Sequence, residues 1–475
     1  MRKIILLALL MAAFVAMPAF ASVQNVKVSG DIDSTYVYRK NFDLGANGIG
    51  DEVANFPITQ TRLRVDSDLT DNVSATVALI NERGWNNADT AAGDSSDIVI
   101  NLAYATLREM LYSPLTVVVG RQAFHYGNSF IIDSAGTNNS AAGDSGISPA
   151  AGDLTKGTAQ DAVRLIFDYN PLTVEFLVSK LQSASGPSGS NVHNNDDYDD
   201  IDLYGINTSY ELGDGWNSLV EAYFFFKSDR SVTDPDAGVE QETDKIYVPG
   251  LRASTNPIEG LNVQAEVAWQ GGNKVVTTTR ATGSIRRNAY GVQAIANYQL
   301  PVLKEYKPTA QYVFTFVSGD HNVSDLSYSG QLSIEKYNAW DPMFENQASG
   351  KIYNAIFNLT NLQIHTAEFS VNPIEDLTTK FTWTGMWLDK KSDATTWTLI
   401  SPDGTRTADV SKDETALGYE LDFDTNYDYT EDVQIGASLG WFFPGDVFDH
   451  ATPVGGRNKA DNIAKQALVH VNVNF

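Results

Sequence analysis

A chain of 475 residues with 43% hydrophobic and 11% aromatic content and a formal net charge of −26 is too apolar to be disordered. Its acidity argues against nucleic acid as a partner, which needs basic patches. The absence of cysteine excludes thiolate metal sites and thiol catalysis, and fits an envelope protein without a disulfide framework.

The first element is a targeting segment. Arg2 and Lys3 form a basic n-region, Ile4 to Val15 is an almost unbroken apolar stretch, and Pro18 precedes Ala19-Phe20-Ala21, an A-x-A cleavage site. The stretch is shorter than the ~20 residues a membrane helix needs. Residues 1–21 therefore read as a cleaved signal peptide and 22–475 as a single mature domain. Polar residues interrupt every later apolar run, which excludes a helical inner-membrane protein. A barrel stays open, since its strands need only about 9–11 alternating residues.

Beyond the signal, short and long connections alternate. The short ones carry turn chemistry: Leu69 to Asn72, Leu111 to Pro114, Tyr169 to Pro171, Leu212 to Gly215, Asn256 to Gly260, Pro301 to Pro308, Asn372 to Asp376 and Tyr427 to Glu431. Between them lie polar segments at about 39–56, 84–97, 123–160, 182–200, 227–245, 271–287, 318–360, 389–414 and 443–465. Eight turns and nine loops imply 18 strands with both termini at the short-turn end. Short periplasmic turns with long extracellular loops are the organisation of a transmembrane antiparallel β-barrel. The fold class expected is therefore all-β, and a closed barrel cannot be cut without exposing two edges.

Individual strands show two faces. Val263, Ala265, Val267 and Trp269 alternate with Gln264, Glu266 and Gln270, and Leu417, Tyr419, Leu421 and Phe423 alternate with Glu420, Asp422 and Asp424. The apolar set is expected to face lipid and the polar set the lumen. On this parity the inward cations include Arg62, Arg64, Arg164 and Lys380. The inward acids include Asp66, Asp168, Glu175, Glu221, Glu266, Glu420, Asp422 and Asp424, a mixed or net acidic lumen. Arg62 and Arg64 read either as a rung that orients a passing solute or as a salt-bridge network that stiffens the wall. Aromatics near strand ends, among them Tyr104, Trp216, Trp269 and Trp387, suit interfacial girdles. A two-sheet sandwich would use the same aromatics as core.

The segment 123–160, rich in Gly, Ser, Ala and Asp, either folds into the barrel as a plug or lies outside as a flap. The acidic run His193 to Asp200 offers oxygen ligands without EF-hand spacing, so a solvated loop is the simpler reading and calcium stays open. Six scattered histidines make no zinc motif, and His365 and Ser370 fall on opposite faces of one strand. Neither enzyme activity nor any cofactor is expected.

The chain ends on Ala467 to Phe475, a strict alternation closing on an aromatic carboxylate. A last strand ending in Phe475 looks like the assembly signal of bacterial outer-membrane barrels. Gly120-Arg121-Gln122 with Tyr126-Gly127 and Asp133, Tyr337 to Phe344, Gly418-Tyr419-Glu420-Leu421-Asp422 and Gly440 to Gly445 together resemble the alginate export family of outer-membrane porins. The resemblance implies an 18-stranded monomer whose loops constrict the pore, and secretion of an anionic polysaccharide. It favours Arg121 pointing into the constriction under 123–160 over snorkelling to headgroups. The partners expected are outer-membrane lipids, the barrel-assembly and secretion machinery, and a hydrophilic solute or polysaccharide. The function expected is a passive channel in the bacterial outer membrane; a non-conducting scaffold or partner-sheathing barrel is the alternative.

Overall fold

The computed structural model describes residues 25–46, 53–85, 98–112, 114–134, 149–182, 200–230, 242–277, 282–321, 336–347, 350–391, 396–401, 404–449 and 460–475. The expected signal peptide, residues 1–21, and the acidic residues 193–199 lie outside them. Eighteen strands form the wall. The first six are β1 Asn25–Lys40, β2 Val53–Thr70, β3 Val73–Gly84, β4 Val99–Leu107, β5 Leu115–Gln122 and β6 Gln160–Asp168. The next six are β7 Leu172–Gln182, β8 Ile201–Glu211, β9 Leu219–Asp229, β10 Asp244–Ile258, β11 Leu261–Thr277 and β12 Thr282–Gln299. The last six are β13 Thr309–Val317, β14 Leu362–Ile374, β15 Leu377–Leu388, β16 Ala416–Thr430, β17 Val433–Pro444 and β18 Ala464–Asn474.

Each strand pairs antiparallel with its chain neighbour, and β1 pairs with β18 from Asp31↔Asn474 to Lys40↔Lys465, closing the barrel. Closure leaves no edge and satisfies the backbone within the sheet, as a lipid-embedded sheet requires. Phe475 extends the seam: its N–H donates to Gly30 O at 3.0 Å and its carbonyl accepts from Gly30 N at 2.8 Å. The Phe475 ring lies over Gly30, where a Cβ would come within 2.6 Å of it, so this position requires glycine.

Alternation sorts the side chains. Leu63, Val77, Val119, Val163, Phe176, Phe224, Val267, Tyr290, Phe381 and Phe423 are exposed on the outer surface. Gln60, Glu82, Glu175, Glu221, Glu266, Gln293 and Glu420 are buried inside. Outward rings align laterally: Tyr204, Phe226 and Tyr247 stand opposite one another on β8, β9 and β10, with Phe226 and Tyr247 stacked at 4.8 Å. Such a row forms an interfacial girdle.

Three expectations change. The segment 271–287 is mostly strand: β11 and β12 stay in register out to Thr277↔Thr282, so the β-branched run Val275-Val276-Thr277 extends the hairpin instead of opening a loop. Leu417 turns inward. The register shifts between Met386 and Trp387 opposite Gly418, whose φ of +141° marks a bulge, and the extra residue puts Leu417 among buried inner side chains. Tyr104 leaves the girdle as well, facing Thr76 across the ladder on the inner side.

The main apolar core sits inside the barrel. Phe124, Tyr126, Phe130, Ile131 and Ile132 from the β5–β6 connection pack with Trp340, Met343, Ile352, Tyr353, Ile356 and Phe357 from the β13–β14 connection. Both meet inward wall residues such as Phe225, Val248, Ala289, Ile364, Met386 and Phe442. The two connections also join through backbone. Ile132 and Phe344 form a parallel bridge, with Asp133 N donating to Phe344 O at 2.8 Å and Phe344 N to Ile131 O at 3.1 Å.

Candidate transport pathway

The β5–β6 connection touches two walls. Its first part, 123–134, joins the apolar core, and its second, 149–159, lies against β1, β2 and β3 through polar contacts. Of the two readings open for this segment, its described residues follow the inward one.

On the β1–β3 wall, charge holds the loop. Arg39 grips Asp153 with two hydrogen bonds of 2.9 and 2.7 Å, and its Nε donates to Gln466 at 2.8 Å. Lys156 Nζ reaches Asp31 at 3.0 Å and Asp33 at 3.1 Å, and Arg62 Nε meets the other oxygen of Asp31 at 2.7 Å. Arg64 engages Asp66 at 2.7 Å, and Thr76 donates to Asp66 at 2.6 Å. Glu82 accepts from Thr155 Oγ1 and from the Lys156 backbone N–H, both at 2.7 Å. Arg62 and Arg64 thus share the inner face with paired carboxylates, an ion network held by charge-assisted hydrogen bonds.

Around the barrel, further pairs line the interior. Arg164 forks onto Glu175 at 2.6 and 3.0 Å, and Tyr126 donates to the same carboxylate. Arg252 bridges Glu221 and donates to Gln264 at 2.7 Å, while Tyr223 donates to Glu266 at 2.7 Å. Lys380 meets Glu368 at 3.1 Å, and Lys351 meets Asp424 at 3.6 Å. Asp422 is buried beside Asp424 and Glu420 on β16. Glu420 accepts the N–H groups of Ile352 and Tyr353 at 2.7 and 2.8 Å, fixing a one-turn helix, Tyr353–Ile356, to the wall.

The inner loop is tied to the opposite wall too. Gln270 and Asp341 exchange two hydrogen bonds of 2.7 and 2.8 Å, side-chain amide to backbone. Arg287, 1% exposed, meets Asp244 at 3.1 Å and Asp341 at 3.7 Å. Burial opposes ionisation of Asp341, yet Lys227 and Arg287 prevail and hold its carboxyl below the usual carboxylate range.

Two expected pore residues stand elsewhere. Arg121 lies opposite Asp161 across the β5–β6 ladder, 3.5 Å away, on the face that exposes Val119 and Val163. Outward parity and an acidic neighbour near the loop end therefore place it on the outer surface rather than under the loop. Asp168 sits exposed at the β6–β7 turn, accepting the Asn170 N–H at 3.1 Å, where it serves the turn. Asp31, Arg252 and Arg287 belong inside although the sequence reading passed over them. Alternation beside exposed Ile32 and Leu251 carries the signal for the first two. Lys156 and Lys351 stand in connections, where no periodicity could have found them.

Beside the plug, an open cavity of about 360 Å³ separates it from β12, β13 and β14, lined mainly by amide and hydroxyl side chains. A closed barrel with an apolar exterior, a charged interior and infolded loops defines an outer-membrane channel of the porin type. The sequence profile described as alginate export matches residues 182–460. The chain belongs to the alginate export family. No curated protein sequence matches it.

Among solved structures, OccK2 (OpdF) of Pseudomonas aeruginosa, in complex with glucuronate, superposes with a TM-score of 0.53 at 11% identity, covering 95% of this chain and 98% of that one. OpdK of the same organism, with vanillate, gives a TM-score of 0.54 at 9% identity over 95% and 99%. OpdQ gives 0.51 at 13% identity over 95% and 98%. At these identities the likeness shows the fold.

Proposed function

We propose that the barrel passes hydrophilic solutes passively across the bacterial outer membrane, by diffusion past short-lived polar contacts in a lumen narrowed by two infolded loops. The observation that carries this is the lumen wall itself. Its cations Arg62, Arg64, Arg164, Arg252 and Lys380 each stand beside a carboxylate, as does Lys351 of the infolded loop. Binding to a neutralised wall is weak enough for a solute to leave again. Strand alternation turns more acids than cations inward, so the pathway favours cations slightly over anions. The family's description points to a polyuronate cargo. Of the residues in hand, Arg62 and Arg64 are the pair best placed to meet its carboxylates.

The apolar plug favours a second reading, a barrel that does not conduct and serves as a scaffold. Liposome swelling separates the two. Vesicles carrying the refolded protein swell in isotonic sugar solution if solutes pass, and keep their turbidity if the barrel is only a scaffold.

A further inference from the structure

The open space beside the plug has a lining chemically unlike the rest of the lumen. Five carboxamides, Asn128, Gln293, Gln311, Asn346 and Gln347, border it, with no Lys or Arg among the described lining residues. Its volume of about 360 Å³ falls within the range of small-molecule sites, roughly 300–1,000 Å³. Amides supply donors and acceptors in near-equal number, which matches a ligand whose hydroxyls do the same. Ile295 and Val313 supply an apolar strip between them, suited to the C–H face of a sugar ring.

The amides are also fixed in place. Gln293 Nε2 donates to Thr315 Oγ1 at 3.1 Å and to Gln347 Oε1 at 2.5 Å, and Gln347 Nε2 donates to Asn128 O at 2.8 Å. This chain joins the wall strand β12 to both infolded loops. Gln293 is 1% exposed, yet its Oε1 has no hydrogen-bond partner. A buried carbonyl without a donor carries a desolvation cost that an incoming hydroxyl relieves. The single carboxylate on the lining, Glu368, has Lys380 3.1 Å away, so the pair adds little net charge to a lining of amides and hydroxyls.

We infer that this cavity is a binding site for an uncharged, hydroxyl-rich solute, one neutral sugar unit, held by Gln293, Gln347 and Gln311 as it passes the plug. The inference rests on the channel reading and names a solute class for it. A polyuronate, by contrast, would find no Lys or Arg on this lining to take up its carboxylates.

Glucose and glucuronate share a ring and differ by one charge, which makes them the probes. Equilibrium dialysis of the detergent-solubilised barrel with radiolabelled glucose measures the site without requiring conduction. Bilayer current in the presence of each sugar measures it during passage. Glucose is expected to bind and to interrupt current at concentrations at least about tenfold below glucuronate. Gln293→Leu and, separately, Gln311→Leu are each expected to weaken glucose about fivefold, as loss of one hydrogen bond of ~1 kcal/mol predicts. Gln311 makes no side-chain hydrogen bond among the described residues, so the second variant remains informative if the first misfolds. Equal action of the two sugars, or unchanged glucose binding in a folded Gln311→Leu barrel, overturns the site. Glucose binding without any current keeps the site and sinks the channel; current without glucose binding does the reverse.

Discussion

The two sides of the lumen hold their loops by different balances of charge and apolar packing. Ion pairs dominate on the β1–β3 side, where Ala151 and Leu154 add a small apolar cluster with Val37 and Ile58, and buried rings dominate on the other. On the β1–β3 side, residues 149–159 are held by charge, through Arg39–Asp153, Lys156–Asp31 and the hydroxyl and amide donors to Glu82. On the β9–β17 side, residues 123–134, 336–347 and 350–357 are held mainly by apolar packing, with Phe130 stacked on Trp340 at 5.6 Å and Phe357 against Phe442 at 5.5 Å. Ion pairs at a wet wall are salt-sensitive and individually weak, whereas buried rings exclude water and contribute more each. The apolar side therefore anchors the plug more firmly than the ionic side does.

Substitution of the apolar anchor should have the largest effect. Trp340→Ala leaves a cavity against Phe130 and Gly291 and should cost roughly 3–5 kcal/mol of plug packing. Near-ultraviolet circular dichroism during thermal unfolding in detergent, together with loop cleavage by protease, reads the loss. An unchanged cleavage rate would mean that the plug is not held by this ring. Next comes Glu420→Ala, which leaves the Ile352 and Tyr353 N–H groups without their acceptor at a cost of about 2 kcal/mol. Hydrogen exchange should quicken at residues 352–356 and stay slow in β16.

On the ionic side the expected effects are smaller. Asp31→Asn weakens Lys156 and Arg62 together, by about 1 kcal/mol, and should move the reversal potential toward anions. The same substitution should matter less at 1 M salt, where the Debye length is about 3 Å. The smallest effect concerns pH. Because Asp341 titrates below its usual ~3.9 when docked, its contribution is complete at neutral pH and fades only as pH falls through that lowered value. Trp340 fluorescence should therefore stay constant from pH 8 to about 4 and change below it. A transition near pH 6 would point to a different group.

Much of the wall was legible in the sequence, because one period of two, enforced by lipid outside and water inside, runs through all of it. Turn residues such as Asp71-Asn72 and Thr430-Glu431 marked the short connections, so the strand number and the inward direction of Glu175, Glu221 and Glu266 followed. Where periodicity broke, the reading broke with it. The bulge at Gly418 moved Leu417 across the wall, and the resemblance drew Arg121 inward although Val119 shares its outward parity. The plug was legible only as one of two alternatives for 123–160, and its partners were not. Phe124, Tyr126 and Phe130 look like scattered apolar residues in a polar loop, and only the three-dimensional return of residues 340–357 gives them partners.

The most direct test is the reversal potential of single channels in a planar bilayer under a tenfold KCl gradient. Stepwise currents with a modest preference for potassium are the expected result, since the acids of the inner wall exceed its paired cations. A strong chloride preference, or a silent membrane bearing correctly folded barrel, would contradict it.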